Sequence, residues 1–126
     1  MADRWDSSLY DDRHSFVWKA AGDLLEILNP QPGEKILDVG CGTGNITIPL
    51  GIIPNSEVVG IDMYQPNIDL VNKRNTLPNV RVTFSRLSDF DVSDFDFIIF
   101  TEVLEHIPGY REILEDLSKR MKPTAQ

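Results

Sequence analysis

An α/β fold, a parallel sheet with helices on both faces, is predicted for this 126-residue chain by three observations. Four short apolar runs are separated by stretches of helical periodicity, the rhythm of βαβ units. The runs are continuous more than alternating, as expected of strands covered on both sides. The first run opens into a turn with three alternate glycines, Gly40, Gly42 and Gly44, the usual position of a ligand loop in such sheets. The length leaves room for one domain, residues 1–126.

The elements follow in order. Phe16, Val17, Ala20, Ala21, Leu24, Leu25 and Leu28 recur at helical spacing, and Asn29-Pro30-Gln31-Pro32-Gly33 stops the pattern. Strands are expected at Lys35 to Val39, Glu57 to Ile61, Val80 to Phe84 and Asp96 to Phe100. A helix begins at Pro66, where the missing N–H of proline costs nothing in a first turn, and runs to about Asn75. A last helix, from about Tyr110 to Met121, puts Ile113, Leu114, Leu117 and Met121 on one side. Its other side carries Glu115–Lys119 and Asp116–Arg120 as i, i+4 ion pairs. The whole reads as a Rossmann-like α/β sheet, with no internal repeat and no linker.

Composition narrows the function. A 41% apolar and 25% charged chain is ordinary for a soluble domain, and no segment reaches the roughly 18 consecutive apolar residues of a membrane span. The opening residues lack the apolar core of a signal peptide, so a cytoplasmic protein is expected. The single cysteine, Cys41, has no internal partner for a disulfide. A net charge of −8, with no dense Lys/Arg cluster, disfavours a nucleic-acid partner.

The chemistry lies in Ile36-Leu37-Asp38-Val39-Gly40-Cys41-Gly42-Thr43-Gly44-Asn45. Glycines let backbone approach a ligand without Cβ atoms intervening. A dinucleotide fingerprint, G-x-G-x-x-G, would need its third glycine at position 45, which is Asn45. Asp38 would also repel a pyrophosphate, whereas a ligand with an ammonium or sulfonium group suits a carboxylate. The second strand ends in Asp62, 18 positions beyond Gly44, close to the separation at which an acid reaches ribose hydroxyls.

Through Asp38, Gly40, Gly42 and Gly44 the chain resembles the class I S-adenosylmethionine-dependent methyltransferase family, whose first motif is a variant of D-x-G-x-G-x-G. The resemblance implies S-adenosylmethionine as cofactor, bound by the loop from Asp38 through Cys41 to Gly44, with Asp62 on the ribose. It further implies Met63 on the adenine, Leu87 at the adenine edge, Thr101 at the end of the fourth strand, and Tyr10 in an N-terminal segment with Trp5 and His14 that covers the pocket. Where many relatives carry an acidic pair near the adenine, this chain has Ser85-Arg86, which leaves Asp89 or no residue to accept from the adenine amine.

Thr101 to Pro108 also resembles the stretch after strand four in small-molecule methyltransferases. It contains an E-x-x-E-H cluster, Glu102, Glu105 and His106. Some relatives hold a divalent metal on similar residues, but the RNA-modifying ones complete that site with a later histidine, which this chain lacks. No metal is assigned. His106 is the candidate general base, pocket shaping being the alternative role for the cluster. Transfer of a methyl from a sulfonium is an in-line displacement governed by positioning, so no catalytic residue is obligatory.

Family members have a seven-stranded sheet in the order 3-2-1-4-5-7-6. The resemblance therefore implies a four-stranded 3-2-1-4 sheet here, truncated relative to the family fold. Strand four would be an edge with unpaired backbone groups, which invites a homodimer. The expected function is methyl transfer to a small-molecule substrate, this chain supplying the cofactor-binding half. A cofactor-binding module without turnover is the alternative, and a nicotinamide-dependent oxidoreductase fragment is disfavoured by Asn45 and Asp38.

Overall fold

A computed structural model of the chain describes residues 22–53, 55–100 and 107–126. Residues 22–28 are helical (α1) and end where the prolines interrupt the periodicity. Strand β1 (Lys35–Val39) leads through the glycine turn to a short helix α2 (Thr47–Leu50). Then come β2 (Glu57–Asp62), α3 (Gln65–Arg74), β3 (Val80–Phe84), a 3-10 turn (Leu87–Asp89), β4 (Phe97–Phe100) and α4 (Tyr110–Arg120). The sheet is wholly parallel, in the order β3-β2-β1-β4, as the resemblance implies.

The continuous apolar runs have a direct structural cause. Side chains alternate across a strand, and both faces of this sheet are covered. Leu37, Val39, Val59 and Ile61 face a core completed by Val92, Phe95 and Leu117, the last from α4. Ile36, Val58, Phe97 and Ile99 face the opposite core, which takes Leu50 from α2 and partly buried Leu24, Leu25 and Leu28 from α1. Each such side chain contributes roughly 1.5–3 kcal/mol by leaving water. Two opposed cores hold β1 between β2 and β4, with Val39 level with Ile61 on one side and Phe100 on the other. The strand order thus reverses at β1, which has β2 on one side and, after the crossover from β3, β4 on the other, and the crevice at its carboxyl end is where ligands enter such sheets.

α3 buries Ile68 and Val71 and carries Lys73 and Arg74 in its last turn, where positive charge suits the helix dipole. α4 starts after Gly109, whose φ of 72° few other residues adopt. The edge of β4 departs from expectation. Ile98 N–H donates to the Gln126 carbonyl (2.8 Å) and Gln126 N–H donates to the Asp96 carbonyl (2.9 Å). Part of the edge expected to be unpaired is therefore occupied by the chain's own final residue.

Candidate functional site

The glycine turn is a backbone construction. Gly40 and Cys41 N–H groups both donate to the Ile61 carbonyl, at 2.8 and 3.0 Å, which carries the chain across the end of β2. Gly40, Gly42 and Gly44 have φ values of 74°, 56° and 86°, in the left-handed region where side chains cost roughly 1–2 kcal/mol. At Gly44 a Cβ would also lie 3.1 Å from Val71 and 3.2 Å from Ile48. At Gly44 the loop thus lies close against α2 and α3, and a methyl group there would press on the Val71 and Ile48 side chains.

Asp62 braces this loop. Its Oδ2 accepts from Gly42 N–H (2.9 Å) and its Oδ1 from Tyr64 N–H (2.8 Å). Each carboxylate oxygen keeps a further lone pair, so the same side chain retains acceptors for two ligand hydroxyls. From the outer side Arg74 Nη1 donates to the Thr43 carbonyl (2.9 Å), and its Nη2 lies 3.5 Å from Asn45 Oδ1.

Asp38 lies beneath the turn, with no exposed surface. It shares a face of β1 with Ile36 and lies level with Gly60, under α2, where Thr47 Oγ1 donates to its Oδ2 (2.6 Å). Its Oδ1 has no partner among the described residues. Burial lifts the carboxyl to about 6; the Thr47 hydroxyl opposes that rise and the nearby Asp62 carboxylate adds to it. Cys41 is buried beside it, against Gly60. Burial, with Asp38 and Asp62 adding to it, pushes the thiol up to about 12, so Cys41 remains a neutral packing residue whose contribution to the loop is backbone.

A cavity of about 640 Å³ opens at the carboxyl ends of β1 and β2, within the range of small-ligand sites. Val39, Gly40, Ile61, Asp62 and Met63 form its sheet side. Ser85 to Ser88 form one flank, and Phe100, Ile107, Glu112, Ile113, Asp116 and Arg120 the other. Of the residues named from sequence, Gly40, Asp62, Met63 and Leu87 line it. Asp38, Cys41, Gly42 and Gly44 do not; they build and support the turn at its rim. Asp89 does not line it either, whereas Arg86 does. Tyr10, Trp5, His14, Thr101, Glu102, Glu105 and His106 lie outside the described residues.

Sequence reasoning missed the flank formed by α4. The Asp116–Arg120 pair is made (2.8 Å), but both residues border the cavity, and Arg120 also donates to the carbonyls of Phe90 and Leu87, each at 3.0 Å. An i, i+4 spacing reports a shared helix face without reporting what lies opposite. Among the described residues no three metal-binding side chains converge, and no helix is long and apolar enough to cross a membrane.

The family model described as a methyltransferase domain matches residues 10–126. The chain belongs to the methyltransferase domain family. The S-adenosylmethionine-dependent class I resemblance read at Asp38 to Gly44 is a resemblance to that family. This methyltransferase-family chain is 32% identical over 129 residues to a demethylmenaquinone methyltransferase of Geobacillus sp. (strain WCH70), covering 96% of this chain and 53% of that protein. A second demethylmenaquinone methyltransferase, of Bacillus cytotoxicus, is 29% identical over 134 residues, covering 98% and 55%. The chain thus spans a little over half the length of these relatives. In fold it is similar to the solved structure of a coclaurine N-methyltransferase bound to N-methylheliamine and SAH, with a TM-score of 0.74 and 22% identity over 84% of this chain and 33% of that one.

Proposed function

We propose that this chain is the S-adenosylmethionine-binding part of a methyltransferase whose acceptor is a small molecule of the demethylmenaquinone kind. The observation that carries the cofactor reading is Asp62: one carboxylate both holds the glycine turn through Gly42 N–H and lines the cavity. The acceptor class rests on the two relatives above and on the apolar cavity side chains Phe100, Ile107 and Ile113. These suit a flat apolar ring better than a charged polymer.

The residues present fit the cofactor. The turn presents backbone at the rim of the cavity, with open space where a Cβ would stand at Gly42, and beneath it Asp38 holds a buried oxygen with no partner among the described residues, positioned to favour a cation above. When bound, S-adenosylmethionine supplies an electrophilic methyl on a sulfonium. Asp62 orients the ribose through its free lone pairs, Met63 and Leu87 give apolar walls to the base, and Asp38 attracts the positive end. His106, next to the acceptor by resemblance, takes the proton of a hydroxyl or an acidic carbon where the acceptor must lose one. Phe100, Ile107 and Ile113 keep water from the transfer, so the protein acts by alignment and exclusion of solvent.

Calorimetric titration with S-adenosylhomocysteine tests this, with NAD as comparison ligand and Asp62→Ala as control. Saturable binding selective for the thioether and weakened at least about 100-fold in the variant is expected, since both a ligand contact and the loop brace are removed. Equal binding of NAD, or no binding by a folded sample, would sink the proposal. A module that binds but does not transfer is the second reading. Absence of turnover with a demethylmenaquinone analogue, despite tight binding, would select it.

A further inference from the structure

We propose that Arg120 is a positioning residue that fixes the Leu87–Phe90 turn as a wall of the cavity, so that the last turn of α4 governs how tightly the base end of the ligand is held. The ligand part of this inference rests on the S-adenosylmethionine reading; the turn-holding part does not.

The turn is poorly held by its own backbone. Its two internal hydrogen bonds, Asp89 N–H to the Arg86 carbonyl and Phe90 N–H to the Leu87 carbonyl, measure 3.1 and 3.3 Å, and a single 3-10 turn has little cooperativity of its own. On its inner side Leu87 and Phe90 pack against the β1–β2 core. On its outer side Arg120 uses all three guanidinium nitrogens: Nη2 on the Leu87 carbonyl, Nη1 on the Phe90 carbonyl, and Nε on Asp116.

The planar fork spans two carbonyls three residues apart while Asp116 fixes its orientation. A lysine, whose three donors radiate from one nitrogen, lacks the planar fork that spans the two carbonyls while a third nitrogen holds Asp116. Arg120 is only 28% exposed at its side chain and lines the same cavity as Leu87 and Ser88. Displacing it therefore moves a wall of the site.

The test uses the full 126-residue chain and the variants Arg120→Met, Arg120→Lys and, as a charge control in the same helix turn, Lys119→Met. Amide hydrogen exchange without ligand is read at Asp89 and Phe90, with Val39 and Ile61 as internal references. Affinities are then measured for S-adenosylhomocysteine and for S-inosylhomocysteine, which differs only at the base.

In Arg120→Met, exchange at Asp89 and Phe90 is expected to quicken about tenfold while the references hold. S-adenosylhomocysteine binding weakens about tenfold and S-inosylhomocysteine binding less, so the preference between the bases shrinks. Arg120→Lys falls between, and Lys119→Met matches the parent. If the references quicken as well, Arg120→Lys decides by the same criteria.

Unchanged exchange at Asp89 and Phe90 overturns the proposal, as does an equal loss of both ligands, the signature of a merely structural role. A parent chain that binds neither ligand overturns the cofactor reading and the ligand part of this one, and the exchange arm still decides whether Arg120 holds the turn.

Discussion

The two sides of the cavity are built by different means. On the β1–β2 side the rim is a backbone construction, a turn of three left-handed glycines of which Gly40 lines the cavity, braced by Asp62 and floored by the buried Asp38–Thr47 pair. On the α4 side it is side chains, Glu112, Ile113, Asp116 and Arg120, reaching across to a three-residue turn. Backbone surfaces demand particular residues at fixed spacing. Side-chain surfaces demand only that two distant segments meet. The first kind leaves a motif in the sequence and the second does not.

The sharpest way to break this contrast is to overfill the floor of the backbone side. A Cβ at Gly60 would lie 2.8 Å from Cys41 Cβ and 3.1 Å from Thr47 Cγ2. Both neighbours are tied down, Cys41 by its N–H bond to Ile61 and Thr47 by Asp38. Gly60→Val should destabilise the fold by about 3 kcal/mol, the upper part of the usual cost of overpacking, and move the glycine turn with it. Urea denaturation reads the stability. A loss below about 1 kcal/mol would mean that the floor yields and is not the rigid part.

The same contrast explains what could be read in advance. The strands were legible to within one residue, because a strand buried on both faces must be continuously apolar and Pro, Gly and Asp mark its ends. β4 begins at Phe97, one residue later than expected: Asp96 N–H still donates to the Lys35 carbonyl, but Lys35 N–H goes to the Asp96 carboxylate and not to a backbone carbonyl. Gly40, Asp62, Met63 and Leu87 were nominated from sequence and line the cavity. Cys41 was nominated by its place in the loop, yet its side chain points into the protein, since a loop that turns toward ligand with its backbone must bury some side chains behind it. The 3-10 turn and the role of Arg120 were illegible: the turn has no periodicity, and its partner lies 30 and more residues away in the chain.

An effect of similar size, confined to a pH window, tests whether the floor is electrostatically loaded. Asp38 is ordinarily a group of pKa 3.8, raised here to about 6, so the folded state holds its proton more tightly than the unfolded state does. Below pH 3.8 both states are protonated and the group contributes nothing. Between roughly 4 and 6 the unfolded state ionises first and stability falls as pH rises; above 6 the penalty is constant, at about 3 kcal/mol as an order of magnitude. Asp91 and Asp96 are shifted the other way, by Ser93 and by Lys122 respectively. Their stabilisation is lost only as pH drops below 3.8, outside this window. Asp38→Asn should remove the slope between pH 4 and 6, and parallel pH profiles for the two proteins would refute the assignment.

Thr47→Val sharpens the point within the same pair. It keeps the shape and deletes the hydroxyl that donates to Asp38, at a cost of about 1–2 kcal/mol near neutral pH. Because that hydroxyl holds the Asp38 pKa down, its removal should carry the descending part of the stability profile to higher pH, so the variant deficit grows between pH 5 and 8. A deficit constant across that range would mean that Thr47 contributes packing alone.

The smallest expected effect separates bracing from folding on the backbone side itself. Arg74 touches the glycine turn only from outside, through the Thr43 carbonyl and Asn45, and it is exposed. Exposed charged contacts contribute little to stability, and the turn keeps its Asp62 brace and its Ile61 hydrogen bonds without it. Arg74→Met should therefore leave the urea midpoint unchanged and weaken S-adenosylhomocysteine binding only about two- to threefold, since the loop must be ordered at binding instead of beforehand. A loss as large as that of Asp62→Ala would place the main brace of the turn on α3 and not on β2. The backbone side would then depend on a distant side chain as much as the α4 side does, and the contrast between the two would no longer hold.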